Sequence, residues 1–301
     1  DLPAAEKPEG FEGASASDVI NVKSVSKSVM SALVGAAVGG GHLEGPNQLL
    51  AELLPEAYEG VDDPRKRWIT VGNLLSNQAG LETTSFDNYG PWVSSRNWVR
   101  WALLQPVECP PGTCWEYSTG NFHLLSAALT RATGMSTREF ARRELLGPLG
   151  IPARPWDRDP QGVYLGGNNM GFTPRELLRF GELYLAGGRW QGEQLVPASW
   201  VERSLQPRVR SSYNGNAYGY GWWSRRVAGE RTWYAWGYGG QYLVLVPRLG
   251  LAMVATTAPG RRGGRWDADR AIFRILREEV IPRARTRDPG KPGTVDGARG
   301  R

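Results

Sequence analysis

One run near the start of the chain constrains its fold most: Asn21-Val22-Lys23-Ser24-Val25-Ser26-Lys27-Ser28-Val29-Met30, leading directly into Ser31-Ala32-Leu33-Val34-Gly35-Ala36-Ala37-Val38. Small apolar residues at this density predict a helix from about Ser24 to Gly39, buried and ended by Gly39-Gly40-Gly41. Within it, Ser24 and Lys27 stand three apart, which puts hydroxyl and amine on one helix face. A hydroxyl is a weak nucleophile until a neighbouring base takes its proton, and a Lys in a partly dry cleft has its pKa lowered enough to help. The helix N-terminus adds free N–H groups and a partial positive charge. Read alone, the pair also fits a capping Ser and a solvated Lys.

With 301 residues and 41% hydrophobic content, the chain can bury a large core. The 39 Gly and 21 Pro fit many turns rather than a bundle of long helices. No apolar run reaches the roughly 18–20 residues of a membrane span, so no spanning helix is expected. The net charge of +6 suggests nucleic acid until it is localised. Arg283, Arg285, Arg287, Lys291, Arg299 and Arg301 outweigh Asp288 and Asp296, so the end of the chain holds most of the excess. Residues 283–301 read as a disordered basic tail, the body is nearly neutral, and no nucleic-acid partner is indicated. His42 and His123 lie outside metal-ligand spacing, and Cys-x-x-Cys is absent, so no metal and no cofactor is expected. Both His read as structural. A Gly-x-Ser-x-Gly elbow is also absent, which disfavours a Ser–His–Asp triad.

Residues 1–20 read as a loose lead-in, and 21–282 as one domain. Its helical part, about 40–210, includes helices over Asn97–Leu104, Phe122–Thr133 and, opened by Thr173-Pro174, a helix through Leu185. From about 215 to 282 the pattern changes. Tyr218–Trp223, Thr232–Trp236, Tyr242–Pro247 and Leu251–Thr256 read as successive strands of an antiparallel sheet, and Trp266–Val280 as a closing helix. The fold class is therefore α+β.

Three features join Ser24 and Lys27. They are Tyr117-Ser118-Thr119 within Pro-Gly-Thr-Cys-Trp-Glu-Tyr-Ser-Thr-Gly-Asn, Gly237-Tyr238-Gly239-Gly240-Gln241 before an apolar strand, and Asn73-Leu74-Leu75-Ser76 with Ala79-Gly80-Leu81. In these the chain resembles the β-lactamase-related serine hydrolases: class C β-lactamases, D-Ala-D-Ala carboxypeptidases, esterases of the same fold and 6-aminohexanoate-dimer hydrolases. The resemblance covers about Asn21 to Val280. It implies a β-lactamase/transpeptidase-like fold, an antiparallel sheet flanked by helices plus an all-helical lobe. It further implies that Ser24 is the acylated nucleophile, Lys27 the amine beside it, and Tyr117 the group that passes protons between Ser24 and the leaving group. Gly237 and Tyr238 fall where related enzymes have Lys-Thr-Gly or His-Thr-Gly, so the N–H groups of Tyr238 and Ser24 would form the oxyanion hole. Without that context, Tyr117 also reads as a core residue and Gly237–Gln241 as a Gly-rich hairpin.

The chain departs from the pattern in three ways. Tyr-x-Asn reads Tyr-x-Thr, which puts the shorter Thr119 at a substrate-binding position. Trp236 replaces the cation of the third motif. Both changes point away from penicillin-like substrates and toward an esterase or amidase acting on a small ester, amide or peptide-like molecule. Tyr89, Trp92, Trp222, Trp223 and Trp236 then either line an aromatic cleft or belong to the core. The third departure is that the residues before Ser24 do not read as the strands that relatives place there, so N-terminal strands of the sheet are expected to be missing. The altered third motif also allows a non-catalytic protein that binds peptidoglycan fragments or another ligand in the same cleft. Cys109 and Cys114 bracket a Pro-Pro-Gly turn. A disulfide there would suit a periplasmic or secreted protein, and two free thiols fit the spacing equally.

Overall fold

In a computed structural model of the chain, residues 15–257 and 265–286 are described. The helix after Ser24 is the centre of the molecule. It is α1 (Ser26–Gly39), and every residue from Ser26 to Ala37 is buried. Its small side chains allow neighbours to approach closely. A Cβ on Gly35 would overlap the Trp200 indole, which instead donates from Nε1 to the Ser31 carbonyl at 2.9 Å.

Around α1 stand α2 (Trp98–Leu104), α3 (Thr119–Thr133), α4 (Pro174–Leu185) and α5 (Ala198–Ser204). Their starts are set by local chemistry. Asn97 accepts from the Arg100 N–H at 2.9 Å, and Thr173 with Glu176 forms a reciprocal capping box before Pro174. Before α1, β1 (Ile20–Asn21) pairs with β2 (Gly171–Phe172) in a two-stranded ribbon. The lead-in thus ends in an ordered strand, and residues 1–14 lie outside the described residues.

The main sheet is a six-stranded antiparallel meander of β3 (Val209–Arg210), β4 (Ala217–Tyr218), β5 (Trp223–Val227), β6 (Glu230–Gly237), β7 (Gln241–Val246) and β8 (Leu251–Ala255). Its spatial order is its chain order, and among the described residues β8 and β3 form the edges. The strand expected over Tyr218–Trp223 is instead a turn between β4 and β5. Gly221, at φ +77°, carries the chain down to α1, where the Ser28 hydroxyl donates to the Gly221 carbonyl at 2.7 Å.

Both faces of the sheet are covered. Trp233, Ala235, Leu243 and Leu245 join the core with α1 and α4, whereas Trp223, Tyr234, Tyr242, Val244 and Val246 pack on Ile272, Phe273 and Leu276. β7 is accordingly buried along its whole length, which explains its unbroken apolar run. The covering residues belong to α6 (Arg265–Ile275), which continues through Leu276–Val280 into α7 (Ile281–Thr286). The tail expected from Arg283 lies outside the described residues except for its first four, which are helical.

A charged clamp ties α7 to the sheet. Arg285 donates to the Glu230 carboxylate at 2.6 Å and Arg248 donates from Nε at 2.6 Å. These bonds, Arg248 first, hold the Glu230 carboxyl down at about 2. A carboxylate whose pKa is depressed by folding contributes stability that is present above its ordinary value of 4.5 and lost as pH falls toward 2. Glu230→Gln should therefore lower the urea midpoint at pH 7, and the gap to wild type should close between about pH 4.5 and 2. A gap that does not change with pH would refute the clamp.

Candidate active site

Ser24 lies in a tight 3-10 turn, Lys23–Val25, two residues before the start of α1 rather than within it. Lys23 adopts the left-handed φ of +51°, and its N–H is held by the Asn21 side chain at 2.9 Å. That conformation is costly for a residue with a Cβ, so the surroundings must enforce it. They do so through Gly237 at the end of β6, where a Cβ would overlap the Val22 carbonyl. The sheet thus abuts the backbone just before Ser24.

One helical turn on, Lys27 is 1% exposed. Its Nζ lies 3.0 Å from Ser24 Oγ, 3.2 Å from Thr119 Oγ1 and 2.8 Å from the Gly167 carbonyl oxygen. The Tyr117 ring centroid is 4.7 Å away. Burial is the cause that drives the Lys27 amine well below its ordinary pKa of 10.5. Lys27 Nζ donates to all three oxygens; once it loses a proton, two N–H groups suffice for Gly167 and Thr119 and the lone pair can turn to the Ser24 hydroxyl. The arrangement can take a proton from Ser24.

Each of these oxygens has its own support. Gly166 and Gly167 lie flat on α3, where side chains would run into Phe122 and Thr119, so the Gly167 carbonyl reaches the amine. The Thr119 N–H donates to Ser85 Oγ at 2.9 Å, and the two hydroxyls lie 3.0 Å apart. Gly120 N–H donates to Thr84 at 2.6 Å, so the segment Thr84–Ser85 caps the first turn of α3. Thr119, expected to meet substrate, also stands 3.2 Å from the Lys27 amine.

Tyr117 is 6% exposed and belongs to an aromatic cluster. Its ring stacks on Trp223 at 5.9 Å and meets Trp236 at 6.5 Å and Phe86 at 6.2 Å. The segment before it is fixed at two points. Cys109 and Cys114 form a disulfide, with Cα atoms 6.3 Å apart, and the Glu116 N–H donates to the Asn77 carbonyl at 2.9 Å. Asn77, at φ +57°, also accepts through Oδ1 from the Ser118 N–H and from Asn121.

Among the aromatic residues considered for the cleft, Trp223 and Trp236 flank Tyr117. Trp92 and Trp222 do not reach it: both are fully buried, Trp92 against His123 and Trp222 against Tyr184. Tyr89 stands off to one side, accepting from Asn168 at 3.1 Å. Tyr238 occupies the tip of the β6–β7 turn with its side chain 67% exposed. Ser85, Asn77 and Gly167 were not legible as site residues. Only the Gly166-Gly167-Asn168-Asn169 loop carried a signal, its pair of glycines. His123 is a buried structural residue paired with Asp159 at 3.0 Å. Among the described residues there is no cluster of three or more metal-ligating side chains, and no helix is long and apolar enough to cross a membrane.

The fold has known counterparts. The family model described as Beta-lactamase matches residues 9–274. The 6-aminohexanoate-dimer hydrolase of Paenarthrobacter ureafaciens is 26% identical over 230 residues, covering 66% of this chain. The chain spans 56% of that relative's length. A Bacillus anthracis protein assigned to the 6-aminohexanoate-dimer hydrolases superposes with a TM-score of 0.75 at 17% identity, covering 91% of this chain and 76% of its own. A D-stereospecific amidohydrolase from Streptomyces sp. superposes at 0.66 with 20% identity, covering 87% of each chain. At these identities the superpositions establish the fold.

The buried amine has a consequence for stability. Its pKa is lower in the folded than in the unfolded chain, so burying it costs stability. The cost is full below the folded value and shrinks as pH rises toward 10.5. Lys27→Met should raise the melting temperature at pH 7 by a few degrees, with less gain at pH 10. An equal or lower melting temperature at pH 7 would contradict an uncompensated buried amine.

Proposed function

The chain belongs to the beta-lactamase family, and within it we propose a serine hydrolase that forms an acyl-enzyme on Ser24 and hydrolyses a small ester or amide. The observation that carries this reading is the Lys27 amine, buried with no carboxylate among its partners in the described residues and 3.0 Å from Ser24 Oγ. The neutral amine takes the Ser24 proton as Oγ attacks the carbonyl carbon. Negative charge on the carbonyl oxygen is met by the N–H groups of Ser24 and Tyr238. Tyr117, against the same amine, returns the proton to the departing alkoxide or amine as the bond breaks. Water then attacks the ester with its proton drawn off along the same route, releasing the acid and restoring Ser24.

Trp236 in place of a cation favours substrates without an obligatory carboxylate at that point. The β-lactam version of the reading is correspondingly the weaker one, and a linear amide or ester is preferred. This agrees in chemistry with the 6-aminohexanoate-dimer hydrolase relative.

A fluorophosphonate probe should label wild type on Ser24 and leave Ser24→Ala unlabelled, read by peptide mass spectrometry. Labelling that persists undiminished in the variant would sink the proposal. Tyr117→Phe should lower kcat on p-nitrophenyl acetate by about a hundredfold or more, the scale of general acid–base help. Activity should also fall as pH drops through the lowered Lys27 pKa, because the protonated amine cannot accept the Ser24 proton.

A further inference from the structure

At the end of the sheet remote from Ser24, the β5–β6 hairpin and the turn after β7 form a pocket of about 340 Å³. Arg226, Arg231 and Arg248 line it with Glu230, and Trp233 and Pro247 give it apolar walls. β6 runs from this pocket to Gly237 beside Ser24, and the six residues of strand beyond Arg231 set the two about 20 Å apart. The volume lies within the roughly 300–1,000 Å³ of small-ligand sites.

Arg226 and Arg231 are direct partners across β5 and β6, so their exposed side chains leave the same face side by side. Like charges in that position destabilise a sheet. Arg226 donates once, to the Gly229 carbonyl at 2.9 Å, and Arg231 has no hydrogen-bond or ion-pair partner among the described residues. Glu230 does not relieve them, because its carboxylate is taken by Arg248 and Arg285. We propose that this pocket binds a phosphate monoester, with the anionic head between Arg226 and Arg231 and the body against Trp233 and Pro247. A carboxylate has two oxygens and one charge, which a single guanidinium fork satisfies. Two forks side by side match the three terminal oxygens and nearly double charge of a phosphate. The site is separate from the Ser24 group and stands independently of the hydrolase reading.

Isothermal titration calorimetry at pH 8 with phenyl phosphate, benzoate and phenol reads the choice of head group. Phenyl phosphate should bind at least about tenfold more tightly than benzoate, with phenol weaker still. Arg231→Gln and Arg226→Gln should each weaken phenyl phosphate by at least about tenfold, while the urea midpoint of the unliganded protein stays or rises because the like-charge pair is gone. Arg225→Gln removes the same charge from the opposite face of the hairpin, where the guanidinium lies over the Phe273 ring, and should leave affinity within about twofold. Sedimentation with phosphatidylcholine vesicles, with and without phosphatidic acid, separates a lipid head group from a free ester, and Arg231-dependent binding to either supports the site. Affinity unchanged in both glutamine variants, lost only together with a lower urea midpoint, or lost equally in Arg225→Gln would overturn it. So would benzoate bound as tightly as phenyl phosphate, or no binding of phenyl phosphate and acidic vesicles alike.

Discussion

An amine held in a dry interior without a counter-charge is the constraint around which this molecule is arranged. Lys27 cannot be solvated, because α1 is buried on all sides, and among the described residues its partners are neutral oxygens. Its hydrogen-bonding capacity has to be met by neutral oxygens at fixed distances. That requirement recruits three otherwise distant pieces of chain. The turn before α1 brings Ser24, the start of α3 brings Thr119, and the loop folded against α3 brings Gly167. Each piece is secured by neighbours in turn, Thr119 by Ser85 and the loop by glycines where no side chain would fit. Cationic amines in apolar surroundings are expensive, and the expense is lower when the proton is absent. The same burial that destabilises the protein therefore makes the amine easier to deprotonate.

The sequence was informative where the signal was local. Ser24 and Lys27 are three residues apart, and helical spacing alone puts them together. The helix start at Thr173-Pro174 and the apolar run of β7 are likewise readable, because a first-turn proline and burial on both faces leave patterns in adjacent residues. What was not readable came from distant pairings. Ser85 looks like an ordinary loop hydroxyl until α3 starts against it. Asn77 shows its importance only through a left-handed backbone that lets it bond the two ends of the Tyr117 segment. The Tyr218–Trp223 stretch has strand composition, yet tertiary contact with α1 overrides it at Gly221. Aromatic residues were the hardest to place. Trp222 and Trp223 are adjacent and point to opposite sides, one into the core and one beside Tyr117.

Trp236 and Thr119 show how one scaffold shifts its preferences without disturbing its centre. Replacing a cation by an indole at the end of β6 removes a fixed charge from the approach to Ser24 and adds an apolar wall. Thr119 is tied through its hydroxyl and N–H to Lys27 and Ser85.

The close approach of Gly237 to the backbone at Val22 has a consequence for how the protein comes into being. The two residues are separated by most of the chain, so their contact is among the last that a nascent polypeptide can make. Contacts between remote segments carry the largest loop-closure cost and slow folding. During synthesis the helical middle can collapse on α1 while Lys23 is still free to leave its left-handed conformation. The turn that presents Ser24 is then set only when β6 arrives. A partly made chain lacking β6 would carry Ser24 and Lys27 in sequence without the wall that the turn before α1 rests on.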